Sequence, residues 1–412
     1  MAFEVVAEQL FASNNCLALG ATISIFFTLF LTHPMTINQI KLFATCAKGL
    51  EDILATELLA LGGSEIKAGE GGVSFKGDLA LVYKANICLR TAVRVLFFLA
   101  EAPVDSDEAL YEFASSIDWS NYMTPDHTLM VDSNVRDSNL THSQFTSQKI
   151  KDAICDQFVE KDGRRPSVDK ENPLVKINFH LSNNHGVISL DSSGDSLHKR
   201  GYRPKQWKAP LNEALAAGLI QLAGWDSSLT FWDPMCGSGT LPIEAATLAT
   251  ARAPGLTRKK FGFQGWVDFE QSLFIDIRNQ IRNQVQIIPD LKVIGSDLRG
   301  DSLRACKDNA GAAGVGHLID FHKEDFEKIK PVAGSTGILF LNPPYGIRLD
   351  QEEGVADVYR LIASVAKSRF PGWKLAVMTG YVHALNEMKL TPQKTIRLFN
   401  GAIPCKLYLF DL

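Results

Sequence analysis

The chain has 412 residues, 46% hydrophobic and 21% charged, with a formal net charge of −4. That is ordinary for a globular protein of two or three domains, and the near-neutral balance excludes nucleic-acid binding through overall positive charge, so any such binding must rest on a local basic patch. Seven cysteines, at 16, 46, 88, 155, 236, 306 and 405, form no Cys-x-x-Cys pair, which argues against a disulfide framework or a zinc site and for reduced thiols in the cytoplasm, with no metal expected.

Residues 16–32 (CLALGATISIFFTLFLT) are apolar, a run marginal in length for a membrane span. Glu4 and Glu8 precede it and the first basic residue is Lys41, so the positive flank of a signal peptide or anchored helix is missing. Residues 1–35 are taken as an unassigned apolar extension, with a membrane anchor or a packed helix as alternatives. A small α/β unit follows. Residues 40–45 read as a strand, and Leu50, Ile53, Leu54, Leu58 and Leu61 at helical spacing predict a helix that Gly62-Gly63 stops. Residues 73–76 read as a strand, and the alternation continues through Val93, Val95 and Leu96. A second α/β unit has strands at 129–134, 175–181 and 186–191 and a helix at 143–158. Ser138, Thr141, His142, Ser143 and Lys149 gather where that helix begins, as a phosphate site or a plain N-cap.

The stretch 196–208 holds five Lys or Arg, two aromatics and no acid. Lys199, Arg200, Arg203 and Lys205 can neutralise phosphates, with His198 and Tyr202 among them; a solvated interdomain linker is the alternative. From 210 onward strand-like runs at 229–234, 292–298, 318–322, 337–342 and 373–379 alternate with helical ones, which predicts a doubly wound parallel sheet. Asn400-Gly401 between two apolar runs predicts an antiparallel hairpin at the C-terminus.

Three acids close three successive strands of that sheet. Asp233 opens Asp233-Pro234-Met235-Cys236-Gly237-Ser238-Gly239-Thr240, a glycine turn between strand and helix that lets backbone approach a ligand. It lacks the Gly-Lys-Ser/Thr of a phosphate loop, and the leading acid suits a ligand with a cationic amino group. Asp297 can accept from ribose hydroxyls. Asp325 can accept from an adenine amino group, with Phe326 packing nearby. The fourth strand runs into Asn342-Pro343-Pro344-Tyr345, where consecutive prolines must end it. The Asn342 side chain and the Pro343 carbonyl offer two acceptors for the hydrogens of a planar amino group, and Tyr345 can stack on a base. Such a site works by positioning.

Together these residues resemble class I methyltransferases of the Asn-Pro-Pro-Tyr type, which methylate adenine N6, cytosine N4, guanine N2 or a protein glutamine. Residues 191–203 (DSSGDSLHKRGYR), Lys208-Ala209-Pro210-Leu211, Ala253-Pro254-Gly255-Leu256 ahead of Trp266, and residues 397–405 (RLFNGAIPC) narrow the resemblance to THUMP-domain RNA methyltransferases, the bacterial 23S ribosomal RNA guanine-N2 group in particular, over residues 38–412. The resemblance implies a ferredoxin-like segment at 36–100, a THUMP RNA-binding domain at 101–200 and a Rossmann-like methyltransferase domain at 201–412. It implies S-adenosyl-L-methionine on Asp233, Pro234, Cys236, Gly237, Ser238, Gly239, Thr240, Asp297, Asp325, Phe326 and Asn342, and the target base at Asn342, Pro343, Pro344 and Tyr345. RNA is expected on Lys149, His198, Lys199, Arg200, Tyr202, Arg203 and Lys205. Large-subunit rRNA is the leading substrate. The rivals are tRNA guanine N2, a protein glutamine, and an RNA-binding assembly factor with a vestigial catalytic domain. The second module fused to some members is absent from this sequence, so a single modification is expected.

Overall fold

The structure, a computed structural model, describes residues 39–203, 211–343 and 352–412. The apolar run at 16–32, Lys205, Pro344 and Tyr345 lie outside the described residues.

The first half contains β1 (Ile40–Cys46), α1 (Glu51–Ala60), β2 (Ser64–Gly69), β3 (Gly72–Gly77), α2 (Leu79–Cys88), β4 (Ala92–Pro103), α3 (Asp107–Ser115), β5 (Thr128–Arg136), α4 (Ser143–Asp162), β6 (Ser167–Val168), β7 (Val175–Ser182) and β8 (His185–Asp191). The two α/β units are not separate. They share one eight-stranded sheet in the order β2-β3-β1-β4-β8-β7-β5-β6. The seam is β4, whose 12 residues pair β1 from Ala92 to Phe97 and β8 from Leu96 to Pro103, both antiparallel. β2 was not anticipated because its sequence, SEIKAG, forms a mostly exposed edge with no apolar alternation. α1 buries Leu54 and Leu58 against this sheet. Leu50, just ahead of it, points the other way into the core of the second half.

The second half contains α5 (Glu213–Leu222), β9 (Thr230–Asp233), α6 (Thr240–Ala249), α7 (Gln271–Asn283), β10 (Val293–Asp297), α8 (Gly300–Ala313), β11 (Ile319–Lys323), β12 (Gly337–Leu341), α9 (Glu352–Arg369), β13 (Lys374–Thr379), α10 (Ala384–Met388), β14 (Lys394–Asn400) and β15 (Ile403–Asp411). The sheet order is β11-β10-β9-β12-β13-β15-β14. β9 to β13 are parallel, and β15 is antiparallel to both neighbours. β12 reads GILFL and is buried throughout, as a parallel strand covered on both faces must be. The hairpin is offset by one residue from the expected Asn-Gly turn. Asn400 still pairs with Ile403, and Gly401, at φ +63, leads the two-residue loop with Ala402. Strand order reverses at β9, which lies between β10 and β12, so the carboxyl ends of β9 and β12 border a switch point, the usual ligand crevice of such sheets.

Residues 253–283 belong by chain position to the second half and by packing to the first. Phe261, Phe263, Trp266, Phe274, Ile277 and Ile281 share the buried cluster of Val82, Tyr83 and Ile87. Phe263 sits 4.5 Å from Tyr83, 5.2 Å from Phe261 and 5.4 Å from Phe274, centroid to centroid. The approach is close enough to require glycine: a Cβ on Gly265 would stand 2.2 Å from Leu174 O, and one on Gly255 2.6 Å from Ile87 Cα. Among the described residues, no helix is long and apolar enough to cross a membrane.

Candidate active site

The turn after β9 is held from two sides. On the β10 side, Cys236 N donates to Ser296 O at 3.0 Å and Gly237 N donates to Asp297 Oδ2 at 3.0 Å. From α8, Cys306 Sγ donates to Gly237 O at 3.0 Å and Asn309 Nδ2 donates to Ser238 O at 3.0 Å. Gly239 then adopts φ +82 as the residue before α6, and a Cβ there would approach Cys306 Sγ to 3.2 Å. α6 has no side-chain cap, so the N–H groups of its first turn remain available to an anionic group. Asp233, Pro234 and Cys236 are buried, while Gly237 and Ser238 are partly open. The two cysteines lie 3.7 Å apart, Sγ to Sγ. Ser296, Cys306 and Asn309 carry no sequence signal of this role, because their contacts to the turn come from packing of α8 and β10 against it.

The three acids behave differently. Asp233 is buried and accepts from Met235 N at 3.1 Å. Burial pushes its carboxyl from 3.8 up to about 8, and nearby Asp297 adds to the rise. A cation placed beside it would favour the carboxylate form. Asp297 is partly exposed and accepts from both Gly237 N and Arg299 N, so part of its capacity is spent shaping the turn. Asp325 caps a short turn through Glu327 N at 3.1 Å and keeps a partly open carboxylate. Phe326, expected to pack near the adenine, is buried in the cluster of Trp232, Leu339 and Leu341.

Asn342 follows β12 directly, and β12 neighbours β9 in the sheet. Its Oδ1 is buried and has no hydrogen-bond partner among the described residues. A buried acceptor left unsatisfied costs on the order of 1–3 kcal/mol, so this atom is poised for a donor. Pro343 beside it is buried. After β13, which pairs β12, Tyr381 stacks on Tyr359 at 5.3 Å and donates its N–H to Thr379 Oγ1 at 2.9 Å.

The basic junction corrects the expectation of a solvent-facing patch. Arg200 is buried, donates to Leu197 O at 2.8 Å and to Arg90 O, and lies 3.6 Å from Glu244. Tyr202 is buried and donates to Glu244 Oε1 at 3.1 Å. Arg203 donates to Leu211 O and Thr240 Oγ1 and pairs with Glu213. The bonds these three make run inside the junction and not to an exposed basic face, while the Nε atoms of Arg200 and Arg203 are buried without a hydrogen-bond partner among the described residues. Burial, reinforced by Arg200, holds His198 down at about 4, so it is neutral. Lys199 is exposed beside Asp195. Arg258, which no motif singled out, donates to the carbonyls of Ser193, Asp195, Ser196 and Lys199 and closes the junction. In the first half, Lys149 lies over the Tyr111 ring, and the Ser138 hydroxyl is committed to Arg136 O and Asn184 N. The open face of the eight-stranded sheet carries a cavity of about 630 Å³, lined in part by Lys41, Phe43, Lys67, Arg94, Phe98 and His180.

Comparison with known proteins agrees with this architecture. Residues 200–408, half of the chain, match the RMKL-like methyltransferase domain, residues 41–96 the RlmL ferredoxin-like domain and residues 104–191 the THUMP domain. The chain is 38% identical over 384 residues to the ribosomal RNA large subunit methyltransferase K/L of Syntrophotalea carbinolica, with 90% of this chain and 54% of that protein covered; it spans about half the length of such K/L relatives. It is 40% identical over 370 residues to slr0064 of Synechocystis, whose name proposes an RNA methyltransferase, covering 90% of this chain and 96% of that one. The crystal structure of SMU.472, proposed to be a methyltransferase and complexed with SAH, superposes with a TM-score of 0.83 at 28% identity over 90% of this chain and 98% of that one. A switch-point crevice, three domain matches in this order and near end-to-end similarity to slr0064 lead to one conclusion: the chain belongs to the RMKL-like methyltransferase family.

Proposed function

We propose that the protein uses S-adenosyl-L-methionine to methylate the exocyclic N2 of a guanine in large-subunit ribosomal RNA. The observation that carries the reading is the buried Asn342 Oδ1, without a partner among the described residues, at the carboxyl edge of β12 beside the strand that ends in Asp233. The residues present fit the cofactor. Asp233 suits its ammonium group, the first turn of α6 its carboxylate, Asp297 its ribose and the open carboxylate of Asp325 its adenine amino group. When bound, the cofactor supplies an electrophilic methyl on a sulfonium sulfur.

Asn342 Oδ1 and the Pro343 carbonyl each accept one hydrogen of the guanine amino group, which aims the nitrogen lone pair at the methyl carbon. With the methyl supplied by bound cofactor, these two acceptors would hold the amino nitrogen in line with it, and the nitrogen would shed one proton to solvent after transfer. Alignment of this kind contributes about 7–11 kcal/mol. A guanine paired in a duplex must first be flipped out. RNA as the substrate is supported by the THUMP match and by the groove on the first sheet, where Lys41 and Lys67 lie with Phe43 and Phe98, alongside Glu65, Glu70 and Glu101. Large-subunit rRNA is supported by the names of the K/L relatives.

The test incubates the protein with labelled cofactor and, separately, protein-free 23S rRNA, 16S rRNA and tRNA, then analyses nucleosides by mass spectrometry. N2-methylguanosine in 23S rRNA is expected; label confined to tRNA, or on another base, overturns the assignment. Asn342→Ala should lower turnover at least about a hundredfold while S-adenosylhomocysteine binding stays within about threefold, which corresponds to under 1 kcal/mol. Turnover within about tenfold of the parent would remove the positioning role.

A further inference from the structure

One face of α6 is gripped by polar side chains that lie outside the helix in sequence, two from the 200–203 junction and one from the first half. Arg203 Nη2 donates to Thr240 Oγ1, Tyr202 OH donates to Glu244 Oε1 at 3.1 Å, and Arg90 Nη2 donates to Thr247 O at 3.0 Å. Positions 240, 244 and 247 share one side of a helix. α6 begins where the turn from Asp233 ends, so this grip reaches the turn at one point only, Thr240. Arg203 makes that contact. The same guanidinium donates to Leu211 O at 3.2 Å and pairs with Glu213 Oε1 at 3.3 Å, in the first turn of α5.

Stability is a poor explanation for this arginine. A cation beside the first turn of a helix opposes the helix dipole. The ion pair with Glu213 is also nearly buried, with 12% and 7% of the two side chains exposed, and desolvation offsets much of the attraction in such a pair. What the arrangement does is hold the start of α6 in place. That start is uncapped and borders the glycine turn.

We propose that Arg203 is a positioning residue for cofactor binding, fixing Thr240 and the 237–240 turn through a three-way junction with Leu211 and Glu213. The proposal rests on the reading of that turn as the cofactor site. It also reassigns Arg203 from the RNA to the cofactor: without the guanidinium, Thr240 and the first turn of α6 lose their fixed relation to α5.

Titration calorimetry of the full chain with S-adenosylhomocysteine tests this. Arg203→Gln should weaken binding about 10- to 100-fold, as loss of charge-assisted hydrogen bonds does. Arg203→Lys, which keeps the charge but not the fork, should fall between the two. Thr240→Val leaves the ion pair intact, and in its background Arg203→Gln should cost under about threefold, a non-additivity expected only of coupled residues. RNA affinity and its salt slope should not change. Thermal melts identify a variant that fails to fold; if Arg203→Gln does, Arg203→Lys and Thr240→Val carry the test. Parent-like affinity in Arg203→Gln, additive losses, or a lowered RNA salt slope with intact cofactor binding would each overturn the proposal alone. A parent protein that does not bind S-adenosylhomocysteine would overturn the cofactor reading itself.

Discussion

Asp233 is the residue through which pH enters the site. Its carboxyl is raised from 3.8 to about 8 by burial. Between these values the folded chain holds a proton that the unfolded chain has lost, so the stability of the ligand-free protein falls as pH rises through that window. An ammonium-bearing ligand favours the carboxylate, and binding it must expel the proton. Affinity for S-adenosylhomocysteine should therefore rise with pH and level off near 8. Calorimetry at pH 7 in buffers of different ionisation enthalpy should show proton release, and Asp233→Asn should lose both effects. A flat pH profile in the parent would assign Asp233 to the fold. Asn342 is the complementary case, an uncharged acceptor whose missing partner is the observation.

Among elements, the segment 253–283 decides how the halves join. Phe263 is fully buried between rings from both sides of the junction. Phe263→Ala removes that ring at a site held by close backbone contacts, so collapse around it is limited. Denaturant unfolding should show a loss of about 3–5 kcal/mol. A loss under about 1 kcal/mol would mean that the cluster is not shared in solution. Arg258 reinforces the same seam by binding four junction carbonyls. α6 is the second such element: its first residue belongs to the glycine turn, and one buried side of it is bonded by Arg203, Tyr202 and Arg90.

Across the whole molecule, two sheets are locked together by a shared aromatic core and a buried polar junction. The separation between the open face of the first sheet and the edge of the second is then set by packing. On the proposed function this makes the molecule a ruler: RNA gripped on the first sheet presents its base at a fixed distance. Lys41 and Lys67, both exposed on that face, should each account for one phosphate contact. Replacing both with Gln should lower RNA affinity and reduce the slope of log K against log salt by about 0.7–0.9 per charge removed. An unchanged slope would move the RNA to another face.

By itself the sequence determined the local patterns: the alternation of strand and helix in the second half, the C-terminal hairpin, and the glycine turn, acids and Asn-Pro-Pro-Tyr at strand ends. These depend on periodicity and on residues with restricted backbone, which act over a few positions. Tertiary structure alone decided three things. It merged two α/β units into one sheet through the length of β4. It placed residues 253–283 in the first core, because apolar spacing says that a face is buried and not against what. And it turned the basic junction inward. Whether Arg200 and Arg203 meet solvent or a carboxylate depends on Glu244 and Glu213, contributed by helices whose position the local sequence does not encode.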